Sequence, residues 1–187
     1  MSLVGAATVA PIFFIIGFFV HCLRGAAPHL AWQRQRLQWV FRLHLSSAMF
    51  TPSSDDVRRF FCTALRKHRA GAMLSPMDAI AVYWIVQHPE YADALSDIDA
   101  ALARNYSVEG GQANPFLHLS MHLSIAEQVS IDQPRGMRDA CNALTARLGE
   151  HAAHHQIMEC LGEMIWSAQR AGAAPDADAY VECVRKR

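Results

Sequence analysis

Five of the ten histidines fall in two stretches that read as helix. Asn114 to Leu123 carries His118 and His122, and His151 to Met164 carries His151, His154 and His155. An α-helix advances about 100° per residue, so His122 lies only about 40° from His118 on the same face, one turn on. Ile125 and Val129 flank the pair within about 20°, while Ser120, Ser124, Glu127 and Gln128 fall on the other side. His118 and His122 are thus expected on the apolar face. Two imidazoles there need partners for their ring nitrogens: a carboxylate, a backbone carbonyl, water or a metal ion.

The second stretch is less sharply divided. Ile157, Leu161, Met164, Met158 and Ile165 form its apolar arc, which contains His154. His155 lies on the edge of that arc and Glu159 on the polar side, yet the two are neighbours at i, i+4. Facing helices of a bundle build metal sites from such pairs. His118, His122, His155 and Glu159 are therefore the candidate ligands of a three-histidine, one-carboxylate site, with donors that suit zinc, iron or manganese. The competing reading makes His118 and His122 core histidines bonded to a neighbouring helix and leaves Glu159 and Glu163 in solvent.

Other chemistries are absent. The run His118-Leu-Ser-Met-His122 lacks the glutamate of the metalloprotease motif. No glutamate is followed by histidine three residues later, as a di-iron bundle needs twice. Gly110-Gly111 has neither the lysine nor the strand of a phosphate loop. No Ser-His-Asp or Cys-His arrangement stands out, and Met121, Met158, Met164 and Trp166 read as core filling.

The elements that must position these residues read as helix after helix, with no alternating strand pattern. Thr51 to Asp56 is a capping cluster, followed by a helix to about Ala70 with Val57, Phe60, Phe61, Ala64 and Leu65 on one stripe. Ser75-Pro76-x-Asp78 opens a second helix, apolar all round and hence central, which stops before Pro89. Pro89 to Asn105 gives a weaker helix or helix pair. Asn114-Pro115 caps a fourth helix that breaks at Ile131 to Pro134. Pro134 to Leu148 forms a fifth, ended by Gly149, and Glu150 to about Arg170 a long sixth. Pro175-Asp176 opens a last one to Val184. Short connections imply an all-α, compact bundle of about six to seven helices.

Composition narrows the function classes. At 52% apolar and 18% charged residues the 187-residue chain is not disordered. Residues 55–187 hold 13 basic and 17 acidic residues, a formal charge of −4, because all four arginines of residues 1–54 precede them and no acid does. A nucleic-acid partner is not expected. Five cysteines without a Cys-x-x-Cys predict reduced, mostly buried thiols in a reducing compartment, with no disulfide framework.

Residues 3–23 carry no formal charge and are long enough to span a bilayer at roughly 20 residues. Arg24, Arg34, Arg36 and Arg42 follow them, so an anchor would sit in the inner membrane with the rest of the chain facing the cytoplasm. The alternative is a misplaced start, with the protein beginning at Met49. The division is therefore an apolar extension, residues 1–48, and a single all-helical domain, residues 49–187.

Three groups of residues carry a resemblance. They are Asn114-Pro115-Phe116-Leu117-His118-Leu119-x-x-His122-Leu123, then Glu127-Gln128-x-Ser130-Ile131-Asp132-Gln133-Pro134, then His155-x-x-Met158-Glu159-Cys160-Leu161-x-Glu163-Met164-x-Trp166 with Ala168-Gln169-Arg170. With Met49-Phe50-x-Pro52-Ser53 and Arg58-Arg59-Phe60-Phe61, they resemble the bacterial domain of unknown function 1841 family over about residues 49–185. The resemblance implies an all-helical, cytoplasmic protein and no activity. The expectation is a non-catalytic binding or interaction module with an unidentified protein partner. The alternative is a protein holding a divalent metal ion at the His/Glu site, with metal-dependent catalysis as its extension.

Overall fold

The computed structural model describes residues 52–106 and 113–187. Among the described residues there are seven α-helices and no strand. They are α1 (Ser54–Arg69), α2 (Pro76–Gln87), α3 (Ile98–Ala103), α4 (Pro115–Ile131), α5 (Met137–Leu148), α6 (Glu150–Ala171) and α7 (Ala177–Arg185). A 3-10 turn, Pro89–Tyr91, follows α2. The all-α bundle expected from the sequence is what the chain forms. Residues 1–48, with the apolar run 3–23, lie outside the described residues. Among those described, no helix is long and apolar enough to cross a membrane.

Both ends of helix α2 are fixed. At its start the Ser75 hydroxyl accepts from the Asp78 amide at 3.1 Å, and the Asp78 carboxylate accepts from the Ser75 amide at 3.0 Å. This reciprocal capping box contributes on the order of 1 kcal/mol. Lys67 of α1 donates to the same carboxylate at 2.8 Å and, with the Ser75 amide, holds it below the usual carboxylate range. At its other end Pro89 stops the helix, and His88 takes up φ −125°, ψ 66°. Between them Ala81, Val82, Trp84 and Ile85 pack into the core with Phe61 and Leu65 of α1 and Phe116 and Leu119 of α4.

The helix is not buried all round, as its composition suggested. Met77, Ile80, Tyr83 and Val86 remain exposed on its outer side. Tyr83 donates from there to Glu150 at 2.6 Å, tying α2 to the first residue of α6.

Helix α4 is capped by Asn114, whose side chain accepts from the amides of Phe116 and Leu117 at 3.1 and 3.2 Å. It ends where Asp132 turns left-handed, and Arg138 covers its last carbonyls, donating to Val129 and Ser130 at 2.9 and 2.6 Å. Helices α5 and α6 share one junction residue, Gly149, at φ 80°, ψ 159°, a conformation open essentially only to glycine. That tight reversal sets where α6 begins, and therefore where His151 stands. Helix α4 packs on α2, α5 and α6, and α7 closes against α5 and α6.

One expectation is corrected. Cys160 of α6 and Cys183 of α7 form a disulfide. Neither an odd cysteine count nor the missing Cys-x-x-Cys could reveal it, because the partners come from separate helices 23 residues apart. Cys62 and Cys141 are free and buried, as expected. Closing a loop of that length removes chain entropy from the unfolded state worth about 3 kcal/mol. Reduction is expected to lower the unfolding free energy by about that amount, read as a shift in the urea midpoint with and without a phosphine reductant. Coincident curves would mean that α7 is held by packing alone.

Candidate metal centre

Six histidines converge where the end of α2 meets α4 and α6. His88 comes from the stop after α2, and it is inside because Trp84, one turn earlier, is inside. His118 and His122 come from α4, with His122 fully buried and His118 half-buried. His151, His154 and His155 come from the first two turns of α6. Trp84 walls the group on one side. It stacks on the His122 ring at 3.9 Å and 13°, and lies 4.2 Å from that of His154. Tyr91 stacks on His88 at 5.2 Å from the other.

The Nε2 atom of His88 is the meeting point. It lies 2.9 Å from Nε2 of His122, 3.1 Å from Nε2 of His151 and 3.2 Å from Nε2 of His118. Its other nitrogen, Nδ1, lies 2.8 Å from the carboxylate of Glu90. His122 extends the network inward, its Nδ1 being 3.3 Å from Nδ1 of His154. One ligating nitrogen each from His88, His118, His122 and His155 fits within a span of 4.8 Å.

Hydrogen bonds alone do not satisfy this arrangement. A neutral imidazole has one N–H and one in-plane lone pair. With Nδ1–H of His88 given to Glu90, its Nε2 keeps one lone pair, facing three other Nε2 atoms. One of those can donate to it in good geometry. The Nε2 atom of His155 is buried and has no hydrogen-bond partner at all. A buried polar atom in that position costs about 1–3 kcal/mol. A cation at the meeting point accepts every lone pair at once. Metal–nitrogen bonds of about 2.0–2.1 Å place neighbouring donors roughly 3.0 Å apart at right angles and about 3.4 Å apart at tetrahedral angles. The separations around His88 fall in and just below that range.

The electrostatics keep the lone pairs available. Burial, then the neighbouring His88 and His155 rings, hold His118 down to about 4. Burial, then His155 and His151, do the same for His154, also to about 4. His122 lies lower still, through burial and then His118 and His154. His155 is lowered too, mainly by burial, against the opposing pull of Glu90 and Glu159. Imidazoles neutral at pH 7 are the ligating form. Glu90 on the remote nitrogen of His88 is the carboxylate–histidine arrangement that fixes a ligand's tautomer and raises its basicity.

Helices α2, α4 and α6, with the turn that follows α2, thus carry every part of the cluster, and the same stretch of chain carries a family match. The sequence model described as a domain of unknown function (DUF1841) matches residues 53–186. The chain belongs to this family. The DUF1841 span takes in all six histidines, together with Glu90 and Trp84. No curated protein and no solved structure matches the chain.

Among the residues that the sequence nominates in this DUF1841 domain, His118, His122 and His155 stand together. Glu159 is not in that group. Its side chain is exposed and pairs with Arg187 at 3.1 Å, at the end of α7. Of the six histidines that converge, His88, His151 and His154 were not nominated as ligands. His88 does not belong to either histidine-rich stretch, but it follows Trp84 by four residues on the helix read as central, so its position on the inner side was inferable. His151 precedes His155 by four residues, repeating on α6 the spacing of His118 and His122 on α4.

Proposed function

We propose that this protein binds a divalent first-row metal ion, held between helices by the imidazoles of His88, His118, His122 and His155, with His151 within reach as a fifth donor. The observation that carries the reading is the approach of three Nε2 atoms to that of His88 at 2.9–3.2 Å. The unpartnered Nε2 of His155 adds support. With Glu159 paired to Arg187, the donor set is all nitrogen, which suits zinc or iron better than manganese.

Untagged protein purified without chelator is expected to carry about one ion per chain by elemental analysis. Its melting temperature should fall in chelator and recover on adding zinc. Lack of stoichiometric metal, with a melting temperature indifferent to chelator and to zinc, would remove the reading. It would return the chain to a non-catalytic interaction module, for which the exposed Met77, Ile80 and Val86 of α2 are the supporting feature.

A further inference from the structure

We infer that the bound ion keeps one coordination position for an exogenous ligand, and that the ligand is a small anion coordinating through nitrogen or oxygen. The inference rests on the metal reading above and concerns what the ion does once bound. Three features of the cluster carry it.

The first is charge. Every proposed ligand is a neutral imidazole, so nothing bound directly to the ion offsets its two positive charges. Among the described residues the carboxylate in contact with the cluster is Glu90, and it reaches only the remote nitrogen of His88. The two other acids at this end of α6 are engaged elsewhere, Glu150 by Tyr83 and Glu159 by Arg187. An ion in that setting retains about one net positive charge, in surroundings walled by Trp84 and Tyr91 where water screens it poorly.

The second is geometry. The three separations around His88, 2.9, 3.1 and 3.2 Å, are on average nearer the right-angle value of about 3.0 Å than the roughly 3.4 Å of a tetrahedral set. Right-angle donors belong to six-coordinate ions. A structural zinc site closes with four tetrahedral ligands, whereas the four ligands and His151 together leave one place of a six-coordinate ion.

The third is access. His88 and His122 are buried, but His118, His151 and His155 are only half-buried, and the side chain of Glu90 is largely exposed. The outer side of the cluster therefore faces the approach from solvent, and the free position lies on that side.

Cobalt(II) is the probe, because its visible absorption reports coordination number. Chelator-treated protein loaded with one equivalent of cobalt(II) is titrated with sodium azide. A saturable change in the visible bands, with cobalt retained after gel filtration, is the expected result. Glu90→Gln keeps an acceptor near His88 but removes the charge. Because Glu90 also supports His88 as a ligand, the variant should hold cobalt less tightly, but once saturated with cobalt it should bind azide several-fold more tightly. Cobalt bound with a spectrum that azide leaves unchanged would overturn the inference and leave a closed, structural site. An azide affinity unmoved in Glu90→Gln would overturn the charge argument. Failure to bind cobalt at all would instead count against the metal reading.

Discussion

Replacing His122 with leucine is expected to abolish metal retention while leaving a folded protein. His122 is fully buried, stacked on Trp84, and its two nitrogens face His88 at 2.9 Å and His154 at 3.3 Å. Leucine fills a similar volume, so the core around Trp84 keeps its packing. Two contacts are lost. Nε2 of His88 loses its nearest neighbour, and Nδ1 of His154 loses its partner, at about 1–3 kcal/mol for a buried group left unpaired. Recovery of apolar burial offsets part of this. The metal effect is far larger, because His88, His118 and His155 cannot hold an ion as the full set does. Wild-type protein at a zinc concentration about a thousandfold above Kd gains roughly 4 kcal/mol from binding. For a domain of this size that is about 10–15 °C in melting temperature. His122→Leu should show almost none of that gain. Glu159→Gln, which removes no member of the histidine group, should show all of it. A His122→Leu protein with the wild-type zinc-induced shift would exclude His122 as a ligand. Loss of the shift in Glu159→Gln would restore the carboxylate to the ligand set.

What the sequence could reveal of this site follows from how far a single helix can be read alone. Helical periodicity places residues around one axis, so it put His118 and His122 together and His155 near the apolar edge. The capping residues did the same for boundaries. Ser75 with Pro76 and Asp78, Asn114 with Pro115, and Gly149 all stand where the helices start or stop. Periodicity says nothing about which residue of another helix lies opposite. His88 enters the site through the packing of α2 on α4, a relation between segments about 30 residues apart that no wheel contains. The disulfide was hidden for the same reason, since α7 meets α6 only after folding. Glu159 illustrates the converse. Its spacing from His155 suits a shared ligand, but the C-terminal Arg187 competes for it from α7, and an exposed carboxylate beside a guanidinium is already satisfied. The misjudged outer side of α2 has another cause. An apolar helix reads as central whether its last face is covered by protein or left bare, and here Met77, Ile80 and Val86 are bare.

The same burial that keeps the imidazoles neutral makes the metal-free protein acid-labile over a defined window. His118 and His154 are held down to about 4, and His122 below them, whereas an unfolded chain's histidines titrate near 6.5. Between those values the unfolded state binds more protons than the folded one. Stability must therefore rise with pH, being complete above about 6.5 and draining away as pH falls towards 4. For the buried His154 alone the depression amounts to about 3 kcal/mol at the bottom of the window, at about 1.4 kcal/mol per unit of pH. His118 is half-exposed, so solvent screens part of its share. Set against a total of about 5–15 kcal/mol for a typical domain, this loss brings acid unfolding in while most carboxylates are still ionised. The depressed Asp78 and Asp132 contribute only lower down, as pH falls through their own range. Chelator-treated protein should accordingly lose about 10 °C or more in melting temperature between pH 7.5 and 4.5. His154→Gln, which cannot take up a proton, should lose less over the same interval. Zinc competes with protons for the same lone pairs, so saturating metal should push the whole decline to lower pH. Melting curves that stay level from pH 7.5 to 4.5 in the absence of metal would show that His118, His122 and His154 open to solvent before they are protonated, and that the cluster is not the buried unit described above.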